Sequence, residues 1–230
     1  YAFTLQSPAA LRLGTAGGVA GLINPGSLQL ANAVIALPAG SVNIQSLEKT
    51  NARWRSTGAA TGVPLTYIAQ FSDAIRENMS GDLALGARWS VDMQPPAAAG
   101  APALAGTVRV FRESGDLVAG ATVPVAMGLK VLDASAEVSG GTLRLRLDVD
   151  GTRAGSTRLD AAVQMIAGRI AKDSALRMSA NADMGSIAWM APLTRQPGLE
   201  LDGALKVALT GAGTIGNPTL NGNINGDKLA

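Results

Sequence analysis

The sequence predicts a mainly β protein, and three observations support this. Apolar and polar residues alternate with a period of two over several segments of about ten residues, as strands with one buried face require. Short turn-forming sequences separate these segments, and only one longer segment has helical spacing. The 230 residues include 28 Gly and are 47% hydrophobic but only 3% aromatic, so aliphatic side chains must fill the apolar face. We therefore expect one continuous architecture of antiparallel strands over residues 1–230, with one or two short helices.

The predicted strands are long, and the clearest is at residues 82–93, where apolar side chains occupy every second position. A final short strand is predicted around Leu220 and Ile224. Asp150 and Gly151 form a pair that tolerates positive φ, which predicts a hairpin turn. The same alternation predicts further strands at residues 142–150, 156–165, 176–184 and 199–209.

Three segments interrupt the strand pattern. Residues 64–79 have apolar side chains at helical spacing, with Pro64 suited to the first helical turn, and they predict an amphipathic helix. Residues 186–193 predict one or two further helical turns. Residues 93–105 are rich in Pro, Ala and Gly, and they predict a loop that leaves the sheet and returns to it.

Composition excludes several classes of site. With no Cys and no His, the chain has no residues for a Ser-His-Asp triad, a Cys nucleophile, a typical zinc site or a disulfide. The 19 basic and 17 acidic residues nearly balance, at a formal net charge of +2, so nucleic acid is not expected as a partner. Polar residues and Pro interrupt the uncharged stretch between Arg12 and Glu48, which favours strands with turns over a membrane helix. The first residue is Tyr rather than Met, which indicates a fragment of a longer protein.

Motifs that could carry chemistry have simpler explanations. Residues 211–216 match G-x-G-x-x-G, but Pro218 follows where a phosphate-binding helix would begin, so a turn is favoured. Asp148 and Asp150 share one strand face with arginines, which is typical of a solvated surface. Glu200 and Asp202 share theirs with a lysine and have the same explanation. We expect no catalytic, cofactor-binding or metal-binding residues.

The chain resembles the TamB family, within the AsmA-like superfamily, over most of its length. The segments that carry the resemblance are GSIAWMAPL at 185–193, PGLELDG at 197–203, GTIGNPTLNG at 213–222, and RWRSTG at 53–58 followed by GVPL at 62–65.

The resemblance implies a fold, a location and partners. The fold would be an elongated antiparallel sheet curled into an open, U-shaped groove with an apolar lining, the β-taco. The protein would be periplasmic in a Gram-negative bacterium, anchored to the inner membrane by a segment absent from this sequence. Its partner would be the outer-membrane Omp85-type protein TamA, bound through regions outside this segment. Its roles would be phospholipid transport between the two membranes and assistance to outer-membrane β-barrel protein assembly, without catalysis.

The alternating strands supply a mechanism for the lipid role. Moving a two-chain lipid through water exposes on the order of 30 methylenes at about 0.8 kcal/mol each, so roughly 20 kcal/mol opposes the transfer. A continuous apolar trough would remove most of this barrier, for a phospholipid or for an unfolded β-strand as cargo. The alternative to a cargo-binding lining is a core in which these side chains pack only against each other. The predicted lining residues are Leu83, Leu85, Trp89, Leu143, Leu145, Leu147, Leu159, Val163, Met165, Leu176, Met178, Leu201, Leu205 and Val207.

Two other classes of function are open to a long β protein. One is a structural or adhesive β-solenoid of a secreted autotransporter passenger, which predicts short repeats of about 20 to 30 residues with stacked turns. The other is a carbohydrate-active enzyme, which needs two or three acids converging on one patch. The unequal strand lengths and the single amphipathic helix favour the conduit over both.

Overall fold

The structure, a computed structural model, is built almost entirely of antiparallel strands. It describes residues 4–6, 9–14, 27–50, 53–70, 72–94, 103–120, 124–194 and 201–228. The prediction of a mainly β fold with an antiparallel sheet is confirmed. The first eight strands are β1 Thr4–Leu5, β2 Ala10–Gly14, β3 Ser27–Ala36, β4 Ser41–Lys49, β5 Trp54–Pro64, β6 Met79–Ser80, β7 Ala84–Gln94 and β8 Ala103–Ser114. The remaining strands are β9 Val118–Ala119, β10 Val125–Ala126, β11 Leu129–Ser139, β12 Thr142–Gly151, β13 Gly155–Gln164, β14 Ala175–Met184, β15 Ala204–Thr214 and β16 Asn217–Asp227.

Thirteen strands form one large sheet in the order β1-β3-β4-β5-β7-β8-β11-β12-β13-β14-β15-β16, with β2 also pairing with β3. From β3 onward each strand of this sheet is antiparallel to the one before it. Because consecutive strands are neighbours, the chain needs only turns or short insertions between them. A second sheet of three very short strands has the order β10-β9-β6.

The main core lies along one side of the large sheet, where central strands such as β5, β7 and β11 begin or end. Two helices, α1 Leu65–Ala69 and α2 Asp73–Asn78, and a 3₁₀-helix, Ala188–Thr194, pack there together with the small sheet. Leu65 begins α1 and donates its backbone N–H to the carbonyl of Leu83, which is only 2% exposed. The buried cluster consists of Leu65, Leu83, Leu85, Ala119, Met127, Leu129 and Ala154.

The predicted continuous helix at residues 64–79 is wrong, because the structure has two short helices there. Pro64 is the last residue of β5, with φ −66° and ψ 145°. Ser72 is extended at φ −146°, and it caps α2 by accepting a long hydrogen bond of 3.5 Å from the backbone N–H of Ile75. Ser followed by Asp is a common helix start. This pair lies in the middle of the segment whose apolar spacing predicted one continuous helix, and it marks the start of the second helix. The helical turns predicted at residues 186–193 are confirmed by the 3₁₀-helix.

The hairpin turn predicted at Asp150 and Gly151 is also wrong, since both residues still belong to β12. Gly151 pairs with Gly155, so the turn comprises residues 152–154. The backbone N–H of Thr152 donates to the carbonyl of Gly128, and the N–H of Arg153 donates to that of Met127, each at 3.0 Å. These hydrogen bonds to the segment before β11 hold the turn in place. They join residues that are distant in sequence, so a local sequence pattern cannot predict them.

Several other strand bounds differ from the prediction. β7 extends to Gln94 and β8 begins at Ala103, so the loop predicted at 93–105 is shorter, and its residues 95–102 lie outside the described ones. The strand predicted at 199–209 is β15, which begins only at Ala204, and residues 199 and 200 lie outside the described part. The last strand, predicted to be short, has eleven residues. The glycine motif at 211–216, predicted to be a turn, is strand over residues 211–214 at the end of β15, and only residues 215 and 216 form the turn.

Candidate functional site

The candidate site is one face of the large sheet. Residues directly opposite each other on neighbouring strands have side chains on the same face, and the register aligns apolar residues along such rows. One such row crosses four strands. Leu147 is opposite Leu159, Leu159 is opposite Ala180, and Ala180 is opposite Leu209. A second row joins Val138, Leu143, Val163 and Leu176. We call this side of the sheet the apolar face.

The aliphatic side chains in the middle of the apolar face are only partly covered. Leu145 is 37% exposed and Val108 is 40% exposed. Their neighbours Leu143, Leu147, Leu159 and Met178 are half-buried. Side chains of this size are usually buried in a folded domain. The centre of the face therefore retains a contiguous aliphatic surface that described parts of the chain cover incompletely.

The predicted lining residues divide into three groups by position. Leu83 and Leu85 are buried in the core beneath the helices, so their side chains pack within the protein. Met165 follows the end of β13, and Leu201 precedes β15, so neither lies within a strand. The other predicted residues lie in strands and share the apolar face, namely Trp89, Leu143, Leu145, Leu147, Leu159, Val163, Leu176, Met178, Leu205 and Val207.

Trp89 is the aromatic residue of this set, and its polar atom has a partner. The indole Nε1 donates a hydrogen bond of 2.9 Å to the hydroxyl of Ser56 on the adjacent strand β5. Ser56 is 7% exposed, so the interaction satisfies a polar group that would otherwise be buried without a partner. The indole is thereby fixed in orientation, and its hydrocarbon rings extend the apolar face.

Sequence reasoning missed the part of the apolar face formed by the first strands. The register places Leu30 opposite Leu47 and Ile35 opposite Val42, and Ala60 of β5 continues the row from Val42 to Ala87 of β7. Alternation is visible in β3 and β4, but a register shift between Ile44 and Ser46 interrupts it. The apolar face therefore begins well before the region that the sequence singled out.

The opposite face carries the charges, and it is held together by ion pairs. Asp92 accepts hydrogen bonds from Arg53 and Arg55, with its Oδ1 2.7 Å from the Arg53 Nε. Asp148 accepts from Arg146 at 2.7 Å and from Arg158 at 2.6 Å. The pKa of Asp92 is lowered chiefly by its hydrogen bond to Arg53, and that of Asp148 chiefly by its hydrogen bond to Arg146. Each of these two acids therefore pairs with two arginines.

Two shallow depressions lie on this charged face. One, of about 510 Å³, is lined by residues that include Glu137, Arg144, Asp160 and Arg177. The other, of about 840 Å³, is lined by residues that include Asp133, Asp148, Arg158 and Lys206. The first depression is lined by three basic and two acidic residues, whereas the second is lined by two basic and four acidic residues, so the second is the more acidic of the two. No three His, Cys, Asp or Glu side chains among the described residues are arranged to hold a metal ion.

A third carboxylate links the small sheet to the large one. Asp116 accepts backbone hydrogen bonds from Leu117, Gly128 and Leu129, each at 2.8 Å. Partial burial alone would raise the pKa of Asp116, but the three N–H donors outweigh it and hold the pKa below its ordinary value. Asp116 therefore fixes the start of β11 to the segment that covers one end of the apolar face.

Comparison of the chain with protein-family models, curated proteins and solved structures found no match. Within the described residues, no helix has the length and apolar character needed to span a membrane.

Proposed function

We propose that the chain is a non-enzymatic conduit that shields the hydrocarbon part of its cargo on the apolar face. The cargo is a phospholipid in transit between the inner and outer membranes of a Gram-negative bacterium. The observation that carries the proposal is the alignment, by strand register, of partly exposed aliphatic side chains from β7 to β15. The same surface could hold an apolar strand face during outer-membrane β-barrel protein assembly, which is the second role in the TamB family that the sequence resembles.

The chemistry of the apolar face favours acyl chains over a folded protein partner. Protein interfaces concentrate binding energy in Trp, Tyr and Arg anchors, whereas this face offers mainly Leu, Val, Ala and Met in successive rows, and its Trp89 is already bonded to Ser56 through the indole N–H. Met178 also adapts its shape easily, because its thioether side chain is unbranched. Such a surface gives non-directional attraction, which allows a hydrocarbon chain to slide along it without breaking hydrogen bonds.

The direction of the rows supplies a path for the cargo. Each row crosses the strands, so an acyl chain lying along Leu147, Leu159 and Leu209 would pass from strand to strand. Leu147 and Leu159 are directly opposite in the register, and Ala180 separates Leu159 from Leu209. Neighbouring strands are about 4.8 Å apart, so four strands present about 14 Å of continuous aliphatic surface. In our proposal the sheet curls lengthwise around this path to form the U-shaped groove of a β-taco.

The helices and the small sheet give the groove a covered end. They pack over Leu83, Leu85 and Leu129, which leaves Leu143 and Leu145 on the part of the strands away from that core. The proposal includes a periplasmic location, an inner-membrane anchor outside this sequence, and an Omp85-type partner such as TamA bound by other regions. Arginine, aspartate and serine side chains would then face the aqueous periplasm.

Two substitutions on adjacent residues of β12 test the proposal. Leu145→Asp places a charge on the apolar face, and Arg144→Asp places the same residue on the charged face, so the pair is matched in position and product. Lipid carried by the purified 230-residue chain is measured by native mass spectrometry, and binding of a fluorescent phospholipid is measured by titration. We expect Leu145→Asp to lose binding at least about tenfold, which corresponds to about 1.4 kcal/mol, and Arg144→Asp to retain it. Equal losses in two variants of equal folded stability, or no lipid bound by the unmodified chain, would contradict the conduit.

A further inference from the structure

Arg88 and Arg109 are directly opposite each other on the charged face of the large sheet. Directly opposite residues of an antiparallel pair have Cβ atoms about 5 Å apart, and like charges in this arrangement destabilise a sheet. Their strands, β7 and β8, each have a neighbouring strand on both sides. The arginine pair therefore lies within the sheet and away from its edges.

The two arginines differ in how their charges are balanced. Asp133 accepts hydrogen bonds from Nε and Nη2 of Arg109, with its Oδ1 2.9 Å from the Nε. Arg88 makes no ion pair or hydrogen bond with any residue that the structure describes. The ring of Phe111 contacts both, since its centroid is 5.6 Å from the Arg88 Cζ and 5.5 Å from the Arg109 Cζ. Within the described part of the chain, the charge of Arg88 has no anionic partner.

Two hydroxyl groups lie beside the arginine pair. Ser90 and Thr107 are the next directly opposite residues on the charged face of the same two strands. Both are exposed, and neither hydroxyl is hydrogen-bonded to a described residue. Together with Arg88 and Arg109 they line a third depression of the charged face, of about 380 Å³. Its lining also includes Glu137, which is opposite Thr107 on β11.

We propose that this depression binds a phosphate group, and that Arg88 is its principal cationic ligand. A guanidinium group presents its N–H donors in a planar fork that matches two phosphate oxygens. Arg109 uses Nε and Nη2 on Asp133, which leaves its Nη1 for the ligand. The bound phosphate supplies the anion that Arg88 lacks and removes the repulsion between the two arginines. The site is on the opposite face from the proposed lipid path, so it does not depend on the lipid role.

The shape of the donor set favours phosphate over a carboxylate. A phosphate group directs its oxygens tetrahedrally, so it can accept from both guanidinium groups and from the hydroxyls of Ser90 and Thr107 at once. A planar carboxylate has two oxygens and satisfies one guanidinium fork. The carboxylate of Glu137 repels either anion, so we expect its removal to tighten binding.

Titration of the isotope-labelled 230-residue chain with inorganic phosphate tests the site, with the Nε–Hε signal of Arg109 followed by NMR. Sodium chloride at matched ionic strength controls for screening. We expect a saturable shift with phosphate that chloride does not reproduce. Arg88→Gln should weaken binding at least about tenfold, because it removes hydrogen bonds from a charged donor.

The matched control is Arg177→Gln, which removes the same charge from an arginine that is opposite Ala162 and Ala212. This variant should retain phosphate binding, and circular dichroism checks that both variants fold. Equal losses in Arg88→Gln and Arg177→Gln, a shift that chloride reproduces, or no saturable shift would each overturn the site.

A gain of affinity provides a second test. Glu137→Gln should tighten phosphate binding several-fold, because a like charge beside the ligand is removed. Unchanged or weaker binding by this variant would overturn the placement of the phosphate beside Glu137. Parallel titrations with glycerol phosphate distinguish the sources of the ligand. Tighter binding of glycerol phosphate than of inorganic phosphate supports a lipid headgroup at the site, and equal binding supports free phosphate.

Discussion

The indole of Trp89 lies over Gly58 on the neighbouring strand, so closely that a Cβ at residue 58 would come within 2.3 Å of the ring. Gly58 and Trp89 are directly opposite in the register. A glycine in a strand has no side chain to pack, and an aromatic ring from the adjacent strand can cover the backbone that it exposes. The same arrangement recurs on the charged face, where the ring of Phe111 lies over Gly86.

The first prediction concerns the space beneath Trp89. Gly58→Ala should destabilise the fold by about 1–3 kcal/mol, because the new methyl group forces the ring out of its rotamer or shifts the strands. Urea unfolding followed by circular dichroism measures the change. Gly185→Ala is the control, since a Cβ there would meet no atom within 4 Å. Equal stability of the two variants would mean that the ring does not occupy this position.

The second prediction concerns Asp116 and its three backbone donors. Asp116→Asn should cost about 1–3 kcal/mol of unfolding free energy at neutral pH, because an amide oxygen cannot satisfy the same donors. Urea unfolding measures this loss. The exposed carboxylate of Asp173 provides a control substitution, Asp173→Asn, which should leave stability nearly unchanged.

The pH dependence of the Asp116 contribution follows from its lowered pKa. A carboxylate with a lower pKa in the folded than in the unfolded chain stabilises the fold above its unfolded pKa of about 3.9, and this contribution disappears as the pH falls through the folded pKa. The stability difference between the unmodified chain and Asp116→Asn should therefore be constant near neutrality and should shrink below about pH 4. A difference that is the same at pH 7 and pH 3 would exclude the ionised carboxylate as its source.

The third prediction concerns Trp189 in the 3₁₀-helix. Its indole Nε1 is buried and has no hydrogen-bond partner among the described residues, although the ring packs against the core cluster. Trp189→Phe should therefore cost much less stability than Trp189→Ala, which would leave a cavity and cost about 3–5 kcal/mol. Thermal unfolding of the two variants measures the comparison. If Trp189→Phe were as damaging as Trp189→Ala, the N–H would have to be an important donor.

The fourth prediction concerns the ion pairs of Asp92. Its pKa is lowered chiefly by the hydrogen bond to Arg53 and further by the one to Arg55, so the pairs stabilise the fold above about pH 4 and lose their effect in acid. Because these groups are solvent-accessible, the effect should be small and should weaken as salt is added. Unfolding of Asp92→Asn at low and high salt tests this. A loss of stability that salt does not reduce would indicate a packing role for Asp92.

Sequence alternation predicted the strands whose apolar positions carry large side chains. Leu143, Leu145 and Leu147 give β12 a clear period, and the structure places this strand within one residue of the prediction. β11 was not predicted, because two of its four central apolar positions are the small Ala134 and Ala136 and a register shift lies between Leu129 and Val131. The small difference in hydrophobicity between alternate positions, together with the bulge, makes the strand difficult to predict from sequence although it is as long as its neighbours.

The apolar face could be predicted more fully than the region that covers it. Strand period alone assigns Leu145 and Leu159 to one side of a sheet. It cannot show that Leu83 and Leu85 lie beneath α1, because that depends on contacts between distant segments. The helix break at Ser72 and the turn at residues 152–154 are likewise determined by hydrogen bonds outside the local pattern.

The order of the large sheet also has a consequence for how such a protein can change in length. From β3 onward the extensive contacts of each strand are with the strands beside it. Stability is then approximately a sum of strand terms and neighbour terms, as in repeat proteins. A hairpin outside the strands that contribute to the core, such as β15 with β16, could be duplicated or deleted without repacking that core, provided that the rows of apolar side chains stay aligned. Evolution could therefore adjust the span of such a sheet in steps of about 10 Å, two strands at a time.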